Sequence, residues 1–250
     1  MSMYKTDFIT SRFVGLGNYL AILRDPVYLG SLLNSIVLMI ILVLGQVGVA
    51  LILALVVCML PKRWHDISRI VFYVPMLASG LIIAQVWKWI FANNGLANWM
   101  IGLAGFQPIA WFTGYISGMS AIWIVLTSSA FGSYFILILA NILSIDKEQY
   151  DAARIDGASD FQIKTRIILP QIRTTISMCV LLVAIGAPQI FETLFMLAPY
   201  EHLASPAFVI YREAFQMSRH GRSASGAVVL MVLTIILTTI KNRIGNAKNE

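Results

Sequence analysis

The chain has 250 residues, 58% of them hydrophobic and only 12% charged, with a mean hydropathy of +0.79. Soluble globular domains carry about 25% charged residues, so this composition excludes an ordinary soluble domain and points to an all-α integral membrane protein. The net charge of +6 then asks which side of a bilayer the cations occupy, and is not read as a nucleic-acid footprint.

Residues 1–30 contain no signal peptide and no spanning run. A hydrocarbon core of about 30 Å needs about 20 helical residues, and five stretches meet that length or approach it: Ser31–Leu60, Arg69–Phe91, Ser117–Leu143, Thr174–Leu197 and Ser225–Ile240. Pro75 and Pro188 interrupt two of them, which a membrane helix tolerates when its neighbours satisfy the freed backbone. The last stretch is short, but Lys241 and Arg243 beyond it can snorkel. Between the second and third spans, "NNGLANWMIGLAGFQPIAWFT" (93–113) reads as an amphipathic segment along an interface. Trp99 and Trp111 there read as aromatic-belt anchors, with sugar stacking as the sharper alternative. Cys58 and Cys179 both fall in apolar runs and form no metal-ligand or C-x-x-C pattern, so they read as packing residues.

Cation placement gives the orientation. With residues 1–30 outside, the inner segments hold Lys62, Arg63, Arg69, Lys147, Arg154, Lys164, Arg166, Arg173, Lys241, Arg243 and Lys248, eleven in all. The outer segments hold six: Lys5, Arg12, Arg24, Arg212, Arg219 and Arg222. The bias places segment 144–173 and the C-terminal tail 248–250 in the cytoplasm. An external start without a preceding span is awkward, and a further helix ahead of Met1 would remove the difficulty.

The segment "EQYDAARIDGASDFQIKTRIILP" (148–170) is dense in charge between two oily runs. Asp146 with Gln149 three residues on is expected to form a capping box at a helix start. Gly157 is expected to stop that helix in a left-handed conformation. Asp160 is expected to cap a second helix, limited by Pro170. On periodicity alone this could be an ordinary interfacial linker.

Its spacing resembles a known signature. Ala152-Ala153, Gly157 and Ile167-Ile168-Leu169-Pro170 are similar to the "E-A-A-x3-G-x9-I-x-L-P" pattern of permease subunits of ATP-binding-cassette (ABC) importers. "FVGLGNYLAIL" (13–23), "WKWIFANNGLAN" (87–98), "QIFETLFML" (189–197) and "AFVIYREAF" (207–215) resemble the carbohydrate-uptake branch, with maltose, multiple-sugar and glycerol-phosphate permeases as its types. The resemblance covers about residues 12 to 245. It implies a type I importer transmembrane domain over residues 31–247, with residues 1–30 external. The family's first helix has no counterpart here, in agreement with the topology. The resemblance further implies that Asp151, Ala152, Ala153, Gly157, Ile167, Leu169 and Pro170 belong to a coupling loop (144–173) seated on a cytoplasmic ATPase dimer. It implies a second permease subunit, usually a different chain, and an external sugar-binding protein. ATP and magnesium would sit on the partner ATPase, with no cofactor on this chain. Departures are Asp151 for the signature's Glu, Asp146 where a Pro is frequent, and "APYEHLASP" (198–206) where a Gly-rich turn is usual.

No G-x-x-x-x-G-K-[ST], H-E-x-x-H or G-x-S-x-G occurs, so no ATP hydrolysis and no other catalysis is expected of this chain. His65, His202 and His220 are scattered and read as loop residues, with no metal site. Lys88 near a span end reads as snorkelling. Glu192 within the fourth span reads equally as an intersubunit ion pair or as facing a watery cavity. Helices flanking the coupling loop line the cavity in the resembled family, which makes Ser129, Ser133, Val183, Ala187, Ile190 and Glu192 the candidate pathway residues. Helix packing explains the smaller of these equally well. The competing classes are an ion-coupled secondary transporter, whose inverted repeats and midplane ion residues are not evident, a membrane enzyme or scaffold, and an ABC permease for a non-sugar solute such as glycerol phosphate.

Overall fold

The computed structural model describes residues 1–6, 11–197 and 200–246. Ala198 and Pro199, which begin the departure noted above, and the 248–250 tail lie outside the described residues, as do the side chains of Lys241 and Arg243. A small hairpin, β1 (Tyr4–Thr6) and β2 (Ser11–Phe13), is followed by α1 (Gly17–Leu23), α2 (Pro26–Val57), α3 (Lys62–Leu77), α4 (Gly80–Ile90) and α5 (Leu96–Leu103). Then come α6 (Tyr115–Leu143), α7 (Lys147–Ile155), α8 (Asp160–Gln171), α9 (Arg173–Gly186), α10 (Glu192–Leu197), α11 (Pro206–Tyr211) and α12 (His220–Asn246). The residues form two compact units, one of 1–41, 80–125 and 183–250, the other of 42–79 and 126–182. The chain passes between them within α2, α6 and α9 and at the α3–α4 break.

Three helices are long and apolar enough to cross a bilayer: Pro26–Val57, Tyr115–Leu143 and His220–Thr239. In the first only 33% of the apolar window is buried within the protein. Leu33, Leu44 and Ile52 point outward at 64–68% exposure, a surface that suits lipid and not water. The first, third and fifth expected spans are thus single helices.

The second and fourth are not. The expected Arg69–Phe91 span is two helices, with Ala78 extended between them (φ −78°, ψ 144°). Pro75 has no N–H to give and its ring crowds the preceding turn, so the helix stops within three residues. The expected Thr174–Leu197 span likewise ends early. Ala187–Gln189 is a 3-10 turn around Pro188, Ile190 is extended, and α10 begins afresh at Glu192. Each broken pair, Lys62–Leu77 with Gly80–Ile90 and Asp160–Gln171 with Arg173–Gln189, is apolar enough to count as one interrupted span.

In the first unit, Ile22, Tyr28, Ala204, Phe208 and Val209 form a buried cluster. Polar groups inside it are satisfied, as burial demands. Tyr28 donates its hydroxyl to the Gly226 carbonyl (3.0 Å), and Asn34 donates to the carbonyls of His202 (3.1 Å) and Ala204 (2.9 Å). The N-terminal hairpin is pinned by buried Asn18, which donates to Ser2 (2.9 Å) and Tyr4 (3.0 Å). The 93–113 segment is held by buried Asn98. It donates to three carbonyls, among them Ile109 (3.0 Å), and accepts the Ile109 amide (2.9 Å). Trp99 on α5 is 61% exposed, whereas Trp111 packs on Phe91 with ring centroids 4.8 Å apart.

In the second unit, α3 and α6 approach so closely that Gly132 lies under the Phe72 carbonyl with no room for a side chain. Phe72 meets Phe131 and Phe135 at centroid distances of 5.5 and 5.0 Å. A π turn, Val43–Gly48, interrupts α2. Gln46 within that turn is buried and donates to the Leu126 carbonyl (2.9 Å).

Candidate functional site

The 144–173 segment folds as a capped helix, a glycine bend and a second helix, all within the second unit. Asp146 starts α7, its carboxylate accepting the Glu148 amide at 3.1 Å. The reciprocal bond expected from Gln149 is not made, because the Gln149 side-chain oxygen instead accepts from Gln171 Nε2 (2.7 Å) and ties α7 to the end of α8. At the other end Gly157 has φ +79°. Its amide donates to Arg154 (3.0 Å) and the next, from Ala158, donates to Ala153 (2.9 Å). This pair of bonds is the Schellman closure, in which a left-handed residue satisfies the last carbonyls.

Ser159 caps α8, one residue before the expected Asp160. Its hydroxyl accepts the Gln162 amide (3.3 Å) while Gln162 accepts the Ser159 amide (2.8 Å), a complete capping box. The S-x-x-Q spacing that signals it is present in the sequence. Pro170 stands one residue before the end of α8, the limit expected of it. The preceding Ile163–Ile168 is a π turn, which already interrupts the regular ladder where the proline's missing N–H would have been needed. The helix runs to Gln171 and bends at Ile172.

Ile163, Ile168 and Ile172 are buried and root the segment in the unit. The α7 helix itself buries no residue. Asp151, Ala152, Gly157 and Pro170 are exposed, while Ala153, Ile167 and Leu169 are half-buried. Beside the bend, Ile155 and Phe161 are 87% and 74% exposed. Arg154 and Asp160 pair at 3.7 Å in solvent, which contributes little. Burial pushes the Tyr150 phenol above its ordinary value, and its hydroxyl donates to the Ile142 carbonyl at 3.3 Å. The result is a stiff helix held out from its base, small side chains beside an apolar pair. It suits seating in a groove.

The expected pathway residues fall in both units. Ser129 and Ser133 are half-buried, and each hydroxyl donates back to its own helix, to Leu126 (3.1 Å) and Ala130 (2.7 Å). Val183 (3% exposed) and Ala187 (1%) are enclosed in the protein. Ile190 is half-buried and its carbonyl accepts the Ser205 hydroxyl. Glu192 is exposed in the first turn of α10, its carboxylate close to Gly80.

Sequence reasoning missed an ion cluster in the first unit. Glu213 is 2% exposed and faces Arg222 at 3.3 Å and Arg219 at 3.6 Å, while Arg222 also pairs with Asp25. Burial pushes the Asp25 carboxyl up, but the Val27 and Tyr28 amides and the Arg222 guanidinium outweigh it and hold it below its ordinary 3.8. No local pattern links residue 25 to residues 213 and 222, so the sequence carried no signal for it.

Residues 21–247 match the family described as "binding-protein-dependent transport system inner membrane component". The chain belongs to that family. It is therefore the inner-membrane permease of a binding-protein-dependent ABC importer, a multi-pass membrane protein working in a system with other subunits. It is 28% identical over 236 residues to a probable ABC transporter permease of Bacillus subtilis, covering 92% of this chain and 81% of that one. It is 26% identical over 225 residues to the xylose/arabinose import permease of Haloferax volcanii (87% and 70% covered). Against the lactose transport system permease of Rhizobium radiobacter it is 24% identical over 250 residues (96% and 84%). Its fold matches a chain of a bacterial alginate ABC transporter, solved in complex with a pentasaccharide-bound periplasmic protein, with a TM-score of 0.87, 21% identity and 94% and 84% coverage.

Proposed function

We propose that this permease is one of two membrane subunits of an ATP-driven importer of a disaccharide or oligosaccharide. Each subunit would form half of the pathway and engage a cytoplasmic ATPase dimer, with a sugar-binding protein delivering the cargo outside. The observation that carries the coupling role is α7: capped at both ends, with no fully buried residue, ending at exposed Ile155 and followed across the bend by exposed Phe161. Asp151, Ala152, Ala153 and Gly157 are assigned to the ATPase contact, where small residues permit close backbone approach. Ile167, Leu169 and Pro170 are assigned to the root that passes the movement to α9. ATP binding would draw the two coupling helices together and open the cavity outward, and hydrolysis would reset it. This chain carries no catalytic group in that cycle; ATP and magnesium belong to the partner. Ser129, Ser133, Val183, Ala187, Ile190 and Glu192 are assigned to the pathway half contributed here.

The carbohydrate assignment is supported by the names of the lactose and xylose/arabinose relatives. The test is to purify the tagged chain from its native membranes and identify what accompanies it, then assay hydrolysis with a sugar-loaded binding protein. An ABC ATPase and a second permease should copurify, and loaded binding protein should stimulate hydrolysis. A chain that purifies without an ATPase overturns the coupling role; stimulation only by a non-sugar cargo overturns the carbohydrate assignment.

A further inference from the structure

A cavity of about 320 Å³ opens in the second unit where two membrane helices end. One wall is Cys58, Met59 and Leu60, directly after the end of α2 at Val57. Another is Ile142, Leu143 and Ile145, at the end of α6 at Leu143. Both apolar helices therefore end at this cavity, and this half of its lining is apolar.

The other half is cationic. Lys62, Lys147 and Arg154 line it against a single carboxylate, Asp151. Arg154 reaches Asp160 at 3.7 Å, but among the described residues no carboxylate lies within 4.0 Å of Lys62 or Lys147. His65 also lines the cavity, and its Nε2 is buried with no hydrogen-bond partner among the described residues. Two ammonium groups and a guanidinium lining one cavity beside a single carboxylate mark a place for an anion with acceptor oxygens.

Two lysines and an arginine over an apolar floor, where two candidate membrane helices end, match a phosphate carrying an acyl body. Basic pockets between membrane helices take anionic headgroups in this way. A soluble phosphate compound would share the oxygens but gains nothing from Met59, Leu60 and Ile145. We propose that this cavity seats the phosphate of an anionic phospholipid. Lys147, Tyr150, Asp151 and Arg154 stand at i, i+3, i+4 and i+7, on one face of α7. Glu148, Ala152 and Ile155 stand on the other. A seated headgroup therefore braces the helix on the face that Asp151 shares and leaves Glu148, Ala152 and Ile155 open. That consequence for coupling rests on the function proposed above, whereas the binding does not.

The experiment uses the assembled complex carrying Cys179→Ala, which leaves Cys58 as this chain's sole thiol. It is placed in nanodiscs of phosphatidylcholine alone, of phosphatidylcholine with phosphatidylglycerol, and of phosphatidylcholine with inorganic phosphate in the buffer. Alkylation of Cys58 is followed by mass, and lipid retained in detergent is identified by native mass spectrometry. Phosphatidylglycerol should slow alkylation severalfold and be retained; inorganic phosphate should do neither. Lys62→Ala with Lys147→Ala should weaken retention, roughly fivefold for each cation removed. Lys62→Arg with Lys147→Arg keeps the charge and should keep the protection, which separates lost binding from misfolding. Equal protection by inorganic phosphate overturns the lipid as occupant. Equal alkylation in all three samples overturns the site. Neither readout involves ATP or sugar, so the result stands apart from that of the importer test.

Discussion

At the scale of single residues, Gly157 and Asp25 each do something no other residue type does as well in place. An added Cβ at Gly157 meets nothing within 4 Å, yet φ is +79°. The cost of a side chain there is conformational, about 1–2 kcal/mol, and falls on the closure of α7. Gly157→Leu should insert normally but lose ATP-coupled transport, and Asp151→Glu, which restores the signature residue, should be tolerated. Copurification of the ATPase and sugar-stimulated hydrolysis check both; wild-type stimulation in Gly157→Leu would reduce the loop to a passive linker. Asp25 is the opposite case, since its role depends on charge. Its carboxyl titrates below the ordinary 3.8 in the folded protein, so the folded state favours the ionised form. The stabilisation is complete above 3.8 and lost as pH falls through the lowered folded value. Asp25→Asn should therefore lower the unfolding midpoint at neutral pH, and the gap from wild type should close well below 3.8. An equal gap at both pH values would assign the loss to something other than the Arg222 pair.

Among the helices, propensity and packing give opposite signs at Gly132. In an exposed helix, replacing glycine by alanine stabilises by about 1 kcal/mol. Here the Phe72 carbonyl of α3 occupies the space the new methyl would take, and a backbone atom cannot swing aside as a side-chain tip can. Gly132→Ala should therefore destabilise, by about 1–3 kcal/mol as overpacking does, read as a drop in thermal midpoint in detergent. A rise would mean that α3 and α6 have room to part. The same contest decides the broken spans. Arg69–Phe91 reads as one apolar stretch, but the helix is divided by a local event at Pro75 and Ala78.

For the whole molecule the prediction is orientation, from the eleven-to-six division of cations. Single cysteines at Ser159 and Gly102, in a background without the native thiols, should label from opposite sides of the membrane. Labelling of Ser159 from outside intact cells would reverse the assignment. Composition and apolar run length determined the membrane class, the five apolar stretches and the position of the charged segment between two of them, because each is a property of a contiguous stretch. The signature spacing and Gly157 were legible for the same reason: a helix stop is local chemistry. The caps were half legible. Ser159 and Gln162 stood at the right spacing, but Gln149 was drawn off by Gln171, twenty-two residues away. What only the tertiary structure decided is everything that joins distant residues. The cluster of buried Glu213 with half-buried Arg222 and Asp25, the glycine contact between α3 and α6, and the basic cavity at the ends of α2 and α6 have no periodic trace in the sequence. Their energy comes from burial and from opposed charges brought together by folding, and a linear pattern records neither.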